Sequence, residues 1–102
     1  MIAIDVPTEQ LRAFCRKWKV TEFALFGSVT RDDFTPASDV DVMVEFAEGA
    51  PWTLSSWLDM REELIALFGR EVDLAERSGV EQMRNYLRRE EILNTAVLLD
   101  VA

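Results

Sequence analysis

Asp39 and Asp41 stand two residues apart in the run Asp39-Val40-Asp41-Val42-Met43-Val44-Glu45-Phe46, where apolar residues fall at every second position. On a strand, that alternation puts both carboxylates on one face, with Met43 and Glu45, while Val40, Val42, Val44 and Phe46 turn to the other. Two carboxylates so placed can share one divalent cation or bridge a pair. A third carboxylate, Asp73, lies in another alternating run, Glu71-Val72-Asp73-Leu74-Ala75, whose inward residues are Val72 and Leu74. If strand pairing brings Asp73 beside the first two, three anions converge, and they repel one another unless a cation neutralises them. Spacing alone also fits ordinary exposed strand positions. Gly27-Ser28 adds the second half of a site. It breaks an apolar run at a point where backbone N–H groups can face an anion, glycine admits a phosphate closely, and serine adds a hydroxyl.

The elements that must position these residues follow from periodicity. After Pro7, Leu11, Phe14, Cys15 and Trp18 recur at helical spacing, with Thr8 placed to cap. Arg12, Arg16, Lys17 and Lys19 occupy the other side of that helix, a solvated basic face with cations near its C-terminus. Thr21 to Phe26 reads as a short strand, Asp32 to Ser38 as a loop, and Asp39 to Phe46 as the clearest strand of the chain. Ala47 to Pro51 connects to a second helix with Leu54, Trp57, Leu58, Leu64, Ile65 and Phe68 on its apolar face, closed by Gly69. Glu71 to Ala75 is the next strand. Val80, Met83, Tyr86, Leu87 and Ile92 suit one last helix, and the apolar tail Ala96 to Val101 reads equally as a short strand or a docking segment. The order predicts an α+β fold, a small mixed β-sheet with helices packed on one face. Trp18, Trp57, Cys15 and Tyr86 are expected to pack rather than to bind, whereas Trp52, in a loop, stays open.

The 102 residues fit a single domain spanning 1–102. No apolar run approaches the roughly 20 residues of a membrane helix, and the first eight residues lack a leader pattern, so a cytoplasmic protein is expected. With no histidine and one cysteine, Ser-His-Asp, Cys-His and histidine-metal chemistry are excluded, as is an intrachain disulfide. Any catalysis must run on carboxylates, hydroxyls and basic residues. A net charge of −8 disfavours a nucleic-acid substrate and suits cation capture or a basic protein partner.

Gly27-Ser28, ten intervening residues, then Asp39-Val40-Asp41, with the later Glu71-Val72-Asp73-Leu74, resembles the signature of the minimal nucleotidyltransferase (MNT) family within the DNA polymerase β superfamily. The resemblance runs from the first helix through the Asp73 strand. It implies that Asp39 and Asp41 ligate Mg²⁺, that Asp73 completes the site and orients or deprotonates an acceptor hydroxyl, and that Gly27 and Ser28 hold the triphosphate of ATP or another nucleoside triphosphate. Arg31 matches a basic position after the Gly-Ser pair and would neutralise phosphate charge. Two positions depart from the pattern: Val29 stands where many relatives have Arg, and Asp32 where they have Gly.

Relatives of this size resemble the antitoxin half of HEPN/MNT toxin–antitoxin pairs, in which the MNT protein adenylylates a tyrosine of its HEPN ribonuclease partner. That resemblance implies a HEPN-type protein partner and an assembly with it. Two other functions fit the same residues: a binding module that neutralises its partner by occlusion, and a nucleotidyltransferase for a small molecule such as an aminoglycoside.

Overall fold

The computed structural model describes residues 4, 6–30, 35 and 38–102, with Ser28 described by its backbone only. Helix α1, Thr8–Trp18, buries Leu11, Phe14, Cys15 and Trp18, the stripe its periodicity predicts. Pro7, not Thr8, occupies the capping position, and Thr8 is the first helical residue. Lys19 ends the helix in the left-handed region at φ 58°, its N–H bonded to Cys15 O. Strand β1, Val20–Phe26, follows, then a single 3₁₀ turn, Gly27–Thr30, and strand β2, Val40–Phe46.

Helix α2, Leu54–Phe68, opens on a capping box: Thr53 Oγ1 accepts from Ser56 N at 3.2 Å, and Ser56 Oγ accepts from Thr53 N at 3.3 Å. Gly69, at φ 68°, ends it as expected. Strand β3, Val72–Glu76, lies parallel to β2, with α2 as the crossover, and β1 runs antiparallel to β2 on the other side. The tail forms strand β4, Val97–Leu99, antiparallel to β1, which resolves the open reading in favour of a strand. The sheet order is β3-β2-β1-β4. The small mixed sheet of an α+β fold is thus present.

Helices cover both faces rather than one. Against α1 and α2 lie Phe23, Leu25, Val40, Val42, Val44, Val72 and Leu74. Ala24, Phe26 and Met43 point the other way and pack with Val80 and Ile92. Those two come from short helices α3, Arg77–Glu81, and α4, Tyr86–Thr95, where the sequence suggested one continuous helix. The break has a local cause: Asn85 caps α4, its Oδ1 accepting from Arg88 N at 3.1 Å.

Further expectations need correction. Tyr86 and Leu87 are exposed, at 60% and 78%, so neither packs in the core. On α2, Leu64 is wholly buried and Trp57, Ile65 and Phe68 pack on the core as expected, whereas Leu54 and Leu58 are exposed and Met60 is wholly buried in their place. Trp18 is buried, Trp57 packs against the core, and Trp52 stands edge-to-face on Trp18 while its Nε1 donates to Trp18 O at 2.9 Å. Cys15 is buried, and burial pushes its thiol up to about 11.

Candidate active site

The parallel pairing of β2 with β3 sets Val40 opposite Val72, Asp41 opposite Asp73 and Val42 opposite Leu74. The valines and Leu74 all enter the core under α1 and α2, so Asp41 and Asp73 project abreast from the opposite face. A slip of one residue would bury the carboxylates instead. The register is held where both strands begin. Val40 N–H donates to Glu71 O at 2.9 Å, and Arg61 of α2 reaches β3 with Nε on Val72 O at 3.0 Å and Nη2 on Glu71 Oε2 at 2.9 Å.

Asp39 sits one residue before β2 and is exposed, as is Asp73, whereas Asp41 is half-buried. The approach to Asp39 is a tight local structure. Ser38 N–H donates to Thr35 O and Thr35 N–H to Ser38 Oγ, both at 3.0 Å. Arg70, between α2 and β3, ties this turn down, its Nη1 donating to Thr35 O at 3.0 Å and Ser38 O at 3.4 Å. Arg70 and Arg61 therefore act on the carboxylates' positions without any motif that announces it in the sequence.

Gly27 ends β1 beside this pair, one position past Phe26, which is the β1 partner of Asp41. Its φ of +70° is a left-handed conformation, and a Cβ built there would overlap Oδ2 of Asp41 and lie 3.2 Å from its Cγ. Glycine is required here twice over, for backbone conformation and for space. Thr30 Oγ1 closes the turn by donating to Gly27 O at 2.7 Å. Gly27 N–H itself donates to Thr95 Oγ1 at 3.4 Å, and Thr95 in turn donates to Glu91 O at 2.8 Å, so α4 is tied to the glycine turn.

The remaining expected residues divide. Val29 is wholly buried in the core under α1 and α2, which explains the apolar residue: its side chain points away from the carboxylate face. Met43 shares the carboxylate face but lies beneath Val80 and Ile92, so it lines no site. Glu45 lies at the far end of that face, opposite Glu22 in the β1–β2 ladder. Loss of hydration first, then a hydrogen bond and like charge from Glu22, raise its carboxyl above the ordinary range, against the lowering pull of Arg77. Arg31 and Asp32 lie outside the described residues, as does the side chain of Ser28.

Asp41 and Gly27 also line a small cleft of about 70 Å³ with Phe26 and, from α4, Arg88, Glu91, Ile92 and Thr95. A larger groove, about 370 Å³, lies between α1 and α2 on the opposite face, away from any carboxylate pair. The α4 residues carry no spacing signature that would have marked them beforehand.

A family model described as nucleotidyltransferase domain matches residues 8–99. The chain belongs to the nucleotidyltransferase domain family. Among its relatives, one of Methanocaldococcus jannaschii carrying the name protein adenylyltransferase MJ1379 is 41% identical over 64 residues, 63% of this chain and 64% of that protein. The matched segment thus spans just under two thirds of that relative's length. Protein adenylyltransferase MntA of Thermococcus cleftensis is 37% identical over 77 residues, 76% of each chain. A solved structure described as a minimal nucleotidyltransferase superposes with a TM-score of 0.68 at 30% identity, covering 90% of this chain and 88% of that one. The fold is also that of an MNT antitoxin solved in complex with a tri-AMPylated Shewanella oneidensis HEPN toxin, with a TM-score of 0.53 at 15% identity over 89% and 70% of the two chains.

Proposed function

We propose that this nucleotidyltransferase domain transfers AMP from ATP, with Mg²⁺, to a tyrosine hydroxyl of a HEPN-type toxin partner, and so acts as an antitoxin. The observation that carries the reading is the register: Asp41 and Asp73 side by side on parallel strands, with Gly27 fitted against the Asp41 carboxylate. The names of the relatives support protein adenylylation, and the HEPN complex of a protein with this fold supports the partner.

The donor set suits Mg²⁺, which takes carboxylate oxygens, keeps water and accepts substrate phosphates. Among the described residues no three carboxylates close into a ready cage, and a Mg²⁺ site completed by a nucleotide asks for none. Asp39 and Asp41 would hold the metal, with Asp73 completing the site. Bound there, Mg²⁺ supplies neutralising charge to the phosphate oxygens and the departing pyrophosphate.

The chain's own residues do the rest. Gly27 leaves room for the Asp41 carboxylate against the turn, and Ser28 of the 3₁₀ turn would donate to the triphosphate, with Arg31 adding positive charge. Asp73, exposed on the outer side of Asp41, receives the acceptor hydroxyl's proton as its oxygen forms a bond to the α-phosphorus. The bond from that phosphorus to the bridging oxygen breaks in line, and pyrophosphate leaves. Cytoplasmic placement fits this role, and no described helix is long and apolar enough to cross a membrane.

The test mixes the chain with ATP labelled on the α-phosphate, Mg²⁺ and the HEPN-type protein encoded beside it. Label should appear on a tyrosine of the partner and vanish in the Asp39→Ala/Asp41→Ala double variant. Label that persists in the double variant refutes the metal assignment, and inhibition of an unlabelled partner points to occlusion instead.

A further inference from the structure

Across the end of the sheet the order is Asp73 on β3, Asp41 on β2, then Gly27 at the end of β1. If the acceptor approaches from the Asp73 side, the triphosphate lies on the Gly27 side. Helix α4 stands on that side, tied there by Thr95 to Gly27 N–H and by Ile92 in the second core. Arg88, seven residues before Thr95, stands on the same stripe of α4, about 10 Å along its axis at 1.5 Å per residue. Its side chain lines the cleft that Gly27 and Asp41 share.

Charge makes Arg88 stand out. The other ionisable residues lining this cleft are Asp41 and Glu91, both acidic, in a chain of net charge −8. Arg88 is the basic residue among the described residues that line it. Among the described residues Arg88 takes part in no ion pair, whereas Lys17, Arg61 and Arg77 do. Its planar fork of donors matches a phosphate group bidentately.

We propose that Arg88 is a substrate-binding residue that contacts the β- or γ-phosphate of the nucleoside triphosphate, making α4 the third wall of the nucleotide site. This deepens the nucleotidyl-transfer reading and rests on it. The cation is supplied from the helix that crosses the glycine turn rather than from residue 29, whose side chain faces the core. Because Arg88 is exposed, it contributes to binding and little to folding.

The test is equilibrium binding of Mg²⁺-ATP and of Mg²⁺-tripolyphosphate to the full chain, without any partner protein. Arg88→Ala should weaken both by about 10- to 100-fold, the loss of one charge-assisted contact. Arg88→Lys should recover part of that loss. Arg12→Ala, which removes the same charge from the exposed side of α1, should change either by less than about twofold, since exposed charges beyond about 10 Å are screened. Thermal midpoints of all three should match the unmodified chain. ATP and tripolyphosphate binding that is unchanged in Arg88→Ala while the unmodified chain binds both overturns the assignment and leaves nucleotidyl transfer standing. An equal loss in Arg12→Ala also overturns it, by showing a general charge effect. Failure of the unmodified chain to bind Mg²⁺-ATP overturns the nucleotide reading itself, and this inference with it.

Discussion

Gly27→Ala gives the sharpest check on the site's geometry, because two separable costs meet at that residue. The first is conformational. At φ +70° an alanine is strained by about 1 kcal/mol relative to glycine. Gly49, at φ +78° with nothing within 4 Å of an added Cβ, carries that cost alone, so Gly49→Ala is the control. The second is spatial. The new Cβ at position 27 would overlap Asp41 Oδ2, and the carboxylate has to swing aside or the strand end has to shift. Backbone strain plus that displacement should cost about 2–4 kcal/mol in all, the upper end of what strain and overpacking produce. A reacting group misplaced by about 1 Å loses on the order of 10²-fold in rate. Urea unfolding should therefore rank Gly27→Ala below Gly49→Ala, and Gly49→Ala modestly below the unmodified chain. Transfer of labelled AMP, measured where each variant is still folded, should fall about 100-fold in Gly27→Ala and stay within about threefold in Gly49→Ala. Equal stability losses in the two variants, with equal activities, would show that position 27 does not crowd Asp41 and that the site is built otherwise.

Other outcomes follow from individual side chains. Val29→Arg should not strengthen nucleotide binding: it forces a cation into a wholly buried position and should cost several kcal/mol, read as a large fall in the urea midpoint. Cys15 should react with a thiol reagent at pH 8 only when the chain unfolds, since burial holds its pKa near 11 against an ordinary 9.0. The sign for stability is set by the same shift: the folded state keeps the proton more tightly, so the contribution is complete below pH 9.0 and is lost as pH rises toward about 11, where the unfolding midpoint should drop. Glu45, with its carboxyl raised by lost hydration and by Glu22, is costly when charged; Glu45→Gln should stabilise the fold at pH 7, with the advantage shrinking as pH falls through the carboxylate range. A Glu45→Gln variant that gains nothing at pH 7 would show that Arg77 already offsets the repulsion.

Much of the site's layout was legible before any fold was known. Alternation in 39–46 and 71–75 put the aspartates on the faces opposite the valines because side chains on a strand repeat every two residues, and burial makes that period visible as apolar and polar residues. Gly27 marked a turn for a reason intrinsic to its lack of a Cβ. The helical stripe of α1 read correctly for the same local reason. On α2 the reading held for Trp57, Leu64, Ile65 and Phe68 but failed for Leu54 and Leu58, which are exposed, and it missed Met60, because only packing against the sheet decides how far an apolar face is covered. The single helix read across 80–92 split at Asn85, because a side-chain cap competes with helix continuation and periodicity is blind to it.

The sequence by itself determined which residues carry charge toward a common face, that histidine chemistry and an intrachain disulfide are excluded, and that a glycine turn follows the first strand. Those facts depend on side-chain identity and on local backbone periods. Tertiary structure alone decided that Asp41 and Asp73 lie abreast, that Gly27 presses on Asp41, that Val29 points into the core, and that α4 brings Arg88 and Thr95 to the glycine turn. Strand order, parallel register and helix docking join residues that are tens of positions apart, and they are set by how apolar faces from the whole chain fit together, which no local spacing encodes.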